Sequence, residues 1–312
     1  MTAIADKASV DSGMPSQKCA VVALLGAPNA GKSTLLNQMT GTKVSIVTHK
    51  VQTTRARMRG IAILDECQLI LVDTPGIFAP KRRLDRAMVE AAWGGAKDAD
   101  ITVLLIDAAK GIDEDVKRIL KGLADMSGPK CLAVNKVDLV RKEHLLALTA
   151  TAAEYVSFDE VFMISALSGD GVKDLSAYLA SHAPSGPWLF PADQISDAPM
   201  RYLAAEITRE KLMLRLHQEL PYASTVETTA WKELKKNRIR IEQTIYVMRD
   251  SQKKIVLGKQ GQTVKSISME ARKELSEILD GPVDLFIFVK VRQNWGNDPE
   301  RYREMGLEFP KD

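Results

Sequence analysis

The run Gly26-Ala27-Pro28-Asn29-Ala30-Gly31-Lys32-Ser33 constrains this chain more than any other feature of its sequence. It follows an apolar stretch, Cys19–Leu25, that reads as a buried strand, and it opens a helical pattern over Lys32–Met39. G-x(4)-G-K-[ST] between a strand and a helix is the spacing of a phosphate-binding loop. Its glycines let the backbone curl until several N–H groups point at phosphate oxygens, reinforced by the helix N-terminus. Lys32 would reach the β- and γ-phosphates and Ser33 would offer its hydroxyl to Mg²⁺. The contacts with the phosphates would extend from Gly26 to Thr34.

A chain with such a loop needs a sheet to carry it, and the flanking pattern supplies one. Gly60–Leu64 and Cys67–Val72 flank Asp65-Glu66 and read as a hairpin; Ile101–Ile106, Lys130–Val134 and Val161–Ile164 read as further buried strands. Amphipathic stretches lie between them. The expectation is an α/β domain with a mostly parallel sheet, one antiparallel strand and helices on both faces. The length of 312 residues allows a second domain. The boundary falls in the proline-rich stretch 184–198, read as a semi-rigid linker. Residues 1–18 read as a flexible tail, 19–183 as the first domain and 199–312 as a smaller α+β unit.

Composition removes several classes. No run approaches the roughly 20 apolar residues of a membrane span. The three cysteines (19, 67 and 131) have no CxxC spacing and fit buried thiols in a reducing, cytoplasmic setting. The net charge of +3, with its positive excess in the C-terminal part, is too mild to decide anything alone. The four histidines show no metal-ligand spacing.

Three further motifs continue the first. Asp73-Thr-Pro-Gly76 ends the strand Cys67–Val72, where the aspartate can hold Mg²⁺ and the Gly76 N–H can meet a γ-phosphate. Asn135-Lys136-Val137-Asp138 follows a strand and selects the base. The Asp138 carboxylate can accept from the N1–H and amino group of guanine, a donor pair that adenine lacks. Asn135 and Lys136 would support that loop, and Ser165-Ala166-Leu167 would place a backbone N–H near the guanine oxygen.

The order and spacing of these four motifs resemble the translation-factor-like GTPases, and GAPNAGKS with DTPG and Gln52-Thr53-Thr54-Arg55 resembles their Era branch. The resemblance implies binding and hydrolysis of GTP to GDP. One of Thr53 and Thr54, with Thr54 favoured, would join Ser33 and Asp73 around Mg²⁺ and sense the γ-phosphate. The position after DTPG is Ile77, which cannot orient water by hydrogen bonding, so hydrolysis is expected to be slow. In related GTPases an asparagine at the position of Asn29 accompanies a K⁺ ion bridging the phosphates. The resemblance therefore adds Asn29 and K⁺ to Lys32, Thr54, Asp73 and Gly76 as the catalytic set.

The C-terminal unit carries Gly258-Lys259-Gln260-Gly261 after an apolar helical turn and before a long amphipathic helix, Gln262–Leu279. That is the layout of a KH domain, and the surrounding elements resemble its type II topology, which clamps single-stranded RNA at this loop. Lys254, Lys259 and Lys265 would meet phosphates, Gln260 lies in the loop, and Ile255, Val256 and Ile267 would line an apolar floor for the bases. Lys290, Arg292 and Trp295 follow the last strand, where stacking and phosphate contacts compete with ordinary packing. Trp188 and Phe190 in the linker are expected to pack between domains.

Together these features resemble the Era family of ribosome-assembly GTPases. That implies binding near the 3′ end of small-subunit (16S) rRNA during 30S maturation, with peripheral membrane contact sometimes seen; the chain is taken as a cytoplasmic monomer. Two other readings share part of the motif set. One is a GTPase of tRNA modification or signalling whose second domain contacts protein, although this chain lacks the tandem GTPase domains or C-terminal cysteine of such relatives. The other is a passive RNA-binding protein, which Ile77 keeps in view.

Overall fold

A computed structural model describes residues 17–217, 220–293 and 295–310. All but the last two residues of the expected N-terminal tail lie outside this range, and Lys18 already belongs to the first strand.

The first unit is a six-stranded sheet in the order β2-β3-β1-β4-β5-β6. Its strands are β1 Lys18–Gly26, β2 Met58–Leu64, β3 Cys67–Asp73, β4 Ile101–Asp107, β5 Lys130–Asn135 and β6 Glu160–Ile164. β2 runs antiparallel to β3 and the other pairings are parallel. The helices are α1 Lys32–Thr40, α2 Arg83–Lys97, α3 Glu114–Ala124, α4 Lys142–Ala153 and α5 Val172–His182. β3 and β4 are buried along their whole length, as strands covered on both faces must be. One apolar core joins the sheet to α1 and α5, and a second joins its other face to α2, α3 and α4. The C-terminal ends of β1, β3 and β5 therefore deliver Gly26, Asp73 and Asn135 to one rim of the sheet, where ligands bind in parallel α/β folds.

The second unit contains α6 Met200–Arg215, β7 Ser224–Leu234, β8 Arg238–Val247, α7 Asp250–Leu257, α8 Gln262–Ile278, β9 Val283–Val291 and α9 Pro299–Glu304. β8 pairs antiparallel with β7 and parallel with β9. A parallel pair needs a crossover, and α7, the Gly258–Gly261 loop and α8 form it. Ile241, Ile245 and Val247 of β8 pack under α6 and α8.

The proline-rich stretch does not pack between the units. It is stitched along the edge of the first sheet. Gln68 accepts from the Leu189 and Phe190 amides at 2.9 and 3.0 Å and donates to Phe190 O at 2.8 Å. Trp188 donates to Glu66 O at 3.2 Å, and Ile61 N donates to Ile195 O at 2.8 Å. Trp188 and Phe190 thus anchor to the β2–β3 hairpin, because its edge carries main-chain and amide groups that need partners. The units meet elsewhere: α2 buries Leu84, Ala87, Met88 and Ala91 against Trp295, Tyr302 and Leu307. The short α9 was not foreseen from the sequence.

Candidate functional site

The phosphate loop, the segment before β2, and the loops after β5 and β6 enclose a cavity of about 390 Å³. Pro28, Asn29, Gly31, Lys32, Ser33, Thr34, Thr54, Gly76, Asn135, Lys136, Asp138, Ser165, Ala166 and Leu167 all line it. Gly26, Ala27 and Ala30 form the back of the loop, and Asp73 lies beneath Ser33. α1 starts at Gly31 with no side-chain cap and no acidic residue in its first turn, so its amides are left for an anion. Gly31 has φ +102°, and a Cβ there would sit 2.1 Å from Asn135 Nδ2. Only glycine satisfies both constraints.

Lys32 is buried and donates to Gly26 O and Ala27 O, each at 3.1 Å. Burial pushes its pKa down to about 8, with Asp73 opposing. Asp73 is itself fully buried, and burial raises its carboxyl above the usual range against the pull of Lys32 and three hydroxyls. Ser33 Oγ and Ser45 Oγ donate to Asp73 Oδ2 at 2.5 and 2.8 Å; Thr54 Oγ1 lies 3.2 Å from the same oxygen and 2.9 Å from Ser33 Oγ. Asp73 Oδ1 is buried without a hydrogen-bond partner. A buried carboxylate with an orphaned oxygen, ringed by hydroxyls, is an all-oxygen donor set that fits a hard cation such as Mg²⁺. Of the two threonines, Thr54 reaches this cluster, while Thr53 bonds Thr48 at 2.6 Å and Lys50 O at 2.7 Å. Ser45, in the segment before β2, was not singled out by its sequence position.

On the base side, Asn135 ties three loops together. Its Nδ2 donates to Ala30 O at 2.8 Å, and its Oδ1 accepts from the Lys136 and Ala166 amides at 2.8 and 2.9 Å. The Ala166 N–H is thus engaged by Asn135. Lys136 pairs with the buried Asp107 at 2.6 Å, a partner that no motif revealed. Asp138 is exposed at the mouth beside Leu139 and Leu167. Asn29 donates to His49 O at 2.8 Å, and Ile77 is buried in the core, where it offers nothing to the cavity.

The segment before β2 leaves the cavity and meets the second unit. Val47 N donates to Glu210 Oε1 at 2.9 Å, Lys43 pairs with Glu210 at 2.7 Å and with Glu274, and Lys50 donates to the carbonyls of Met213 and Leu216. Arg209 donates to Thr53 O, and Arg55 donates to Ser224 O at 2.9 Å.

In the second unit Lys254, Lys259, Gln260, Lys265, Lys290 and Arg292 are exposed, and Ile255 is 57% exposed. α8 begins at Gly261 with no side-chain cap and no acidic first turn, which leaves its amides open beside Gly258 and Lys259. The expected apolar floor needs correction. Val256 and Ile267 are fully buried in the core, because they occupy the faces of α7 and α8 turned toward the sheet. Trp295 is buried as well and donates to Ala223 O at 3.0 Å, so it stacks on nothing from outside. Arg292 is paired with Asp298 at 2.7 Å. Phe286 and Phe288, exposed on the face of β9 away from the helices, went unread in a strand that looked merely apolar.

Comparison with known proteins completes the picture. Residues 21–136 match the 50S ribosome-binding GTPase family and residues 219–296 match the KH domain family. The chain is 67% identical over 290 residues to GTPase Era of Sinorhizobium medicae, covering 93% of this chain and 94% of that one. The chain belongs to the GTPase Era family. GTPase Era of Brucella suis is also 67% identical, over 289 residues. The structure of Aquifex aeolicus Era bound to GDP·AlF4⁻ matches with a TM-score of 0.88 and 38% identity, covering 93% of this chain and 99% of that one. A structure of Era in complex with MgGDPNP and nucleotides 1506–1542 of 16S ribosomal RNA matches equally well. As an Era GTPase, the protein couples a guanine-nucleotide P-loop domain to a C-terminal KH domain.

Proposed function

We propose that this GTPase is a GTP-gated switch that binds the single-stranded 3′ end of small-subunit 16S rRNA and assists assembly of the 30S subunit. The observation that carries the reading is the grip of α6, which supports the KH sheet, on the backbone of Val47 and Thr53 within the segment that also presents Thr54 to Asp73. In this reading residues 19–183 are the GTPase domain, 184–198 the linker and 199–312 the RNA-binding domain. A related Era bound to MgGDPNP and a 16S rRNA fragment supports both ligands.

Lys32 and the loop amides would hold the β- and γ-phosphates. Asp138 would accept two hydrogen bonds from guanine, with Asn135 and Lys136 fixing its loop. Ser33, Thr54 and Asp73 would hold Mg²⁺, which when bound neutralises charge on the phosphates. Thr54 and Gly76 would close on the γ-phosphate, altering the hold of Glu210 and Arg209 on the switch. Ile77 leaves water unpositioned, so turnover would be slow and helped by K⁺ beside Asn29. The Gly258–Gly261 loop would clamp the RNA backbone, with Lys254, Lys259, Lys265, Lys290 and Arg292 facing phosphates and Ile255 beneath a base. Among the described residues no helix is long and apolar enough to cross a membrane. The reading places a monomer in the cytoplasm, with membrane contact confined to the periphery.

Crosslinking to cellular RNA, sequenced separately with a non-hydrolysable GTP analogue and with GDP, tests this. Enrichment at the 3′ tail of small-subunit rRNA, stronger with the analogue, is expected. Enrichment on tRNA, or none in either state, would overturn it.

A further inference from the structure

A second cavity, also of about 390 Å³, lies where the switch segment meets the KH domain. Four arginines and two glutamates line it: Arg55, Arg201, Arg209 and Arg301, with Glu206 and Glu227. Two of the arginines are neutralised in place, Arg209 by Glu206 and Arg301 by Glu227. Asp298 lies 3.8 Å from Arg301 Nε, but its closer partner is Arg292, at 2.7 Å.

The other two are not neutralised. Arg55 is 2% exposed and donates only to main-chain carbonyls, those of Ser224, Pro221 and Tyr222, and its Nε is buried without an acceptor. Arg201 makes one side-chain hydrogen bond, to Thr228 O at 3.3 Å. Among the described residues neither has a carboxylate at ion-pair distance. Two unanswered guanidiniums therefore line one cavity of small-molecule size. An apolar occupant would take water from the exposed Arg201 and leave the buried Arg55 charge without a counter-ion, at a cost in desolvation. A guanidinium is a planar fork that matches phosphate oxygens with two parallel hydrogen bonds.

We propose that this cavity binds a small phosphate-bearing molecule, gripped by Arg55 and Arg201, at a site separate from the nucleotide loops. Arg55 follows Thr54 directly, so an anion held there restrains the switch against α6. By linkage, the ligand and GTP then change each other's affinity by the same factor.

The test uses the full chain saturated with GDP and Mg²⁺, so that the phosphate loop is filled, titrated with pyrophosphate in a calorimeter. One saturable site is expected, and Arg201→Glu, at an exposed position outside the GTP pocket, weakens it about tenfold or more. GDP affinity and the melting temperature of that variant stay unchanged. Arg55→Lys, which keeps a charge at the site but loses the fork, weakens pyrophosphate binding as well. No saturable binding, or equal binding by wild type and Arg201→Glu, overturns the proposal. A last arm adds single-stranded RNA: undiminished pyrophosphate binding supports a small-molecule site, and competitive displacement overturns it in favour of an RNA phosphate.

Discussion

Glu210 Oε1 accepts the Val47 amide proton at 2.9 Å, so a carboxylate on α6 fixes the backbone of the segment before β2. The same carboxylate is paired with Lys43 and Lys211, each at 2.7 Å. Glu210→Ala is therefore expected to free the switch. Amide hydrogen exchange of the GDP-loaded protein should quicken at residues 45–50 while the β-strands keep their protection. Unchanged exchange there would show that the contact does not hold the segment.

The pH dependence of this contact follows from its surroundings. Burial opposes ionisation of Glu210, but hydrogen bonds from Lys211 and Lys43 outweigh it and hold the carboxyl below its usual range. A depressed carboxyl contributes stability that is complete above its ordinary pKa of about 4.3 and is lost as pH falls through the lower folded value. Protection at residues 45–50, taken relative to the intrinsic exchange rate at each pH, should stay flat from neutrality down to that range and fall below it, and the fall should vanish in Glu210→Ala.

Asp138→Asn removes the acceptor for two guanine donors and installs an amide that can donate to the 2-oxo group of xanthine. GTP affinity should fall about 10²- to 10⁴-fold, with xanthosine triphosphate gaining, since each charged hydrogen bond contributes about 1.5–3 kcal/mol. A fluorescent-nucleotide competition assay reads both changes.

Gly76 approaches the phosphate loop so closely that an added Cβ would lie 2.9 Å from Pro28 Cα. The contact is with backbone and cannot be relieved by a rotamer change. Gly76→Ala should hold its N–H away from the γ-phosphate and lower single-turnover hydrolysis by about 100-fold, as loss of a transition-state donor does. GDP affinity should be retained.

Asn29 gives a direct test of K⁺ dependence. Turnover in KCl should exceed turnover in NaCl at equal ionic strength, and Asn29→Ala should remove the difference. If Asn29 acts only through its 2.8 Å bond to His49 O, the variant will change both rates alike.

What the sequence made legible was local. The Gly26–Ser33 loop, Asp73–Gly76, Asn135–Asp138 and Gly258–Gly261 are contiguous runs whose chemistry depends on neighbours a few residues away. The partners that reach across the chain were not legible. Lys43 meets Glu210 and Glu274, and Lys136 meets Asp107, because folding brings them together, and no spacing announces it. Val256 and Ile267, expected in an RNA-facing floor, lie in the core for a related reason, and of the two roles open to Trp295 the structure shows packing. A hydrophobic residue beside a binding loop reads the same whether its face turns to ligand or to core, and only the packing of α7 and α8 against the sheet decides.

The strap along the first sheet has a mechanical consequence. With residues 184–197 hydrogen-bonded to β1, β2 and Gln68, almost no free chain remains before α6 begins at Met200. The KH domain is therefore leashed within a residue or two of its dock, and its concentration near the switch is set by that short leash rather than by diffusion. Contacts such as Glu210 to Val47 can each be weak and still re-form at once after breaking. A modest bias from the nucleotide is then enough to tip the arrangement, because no long loop has to be closed again.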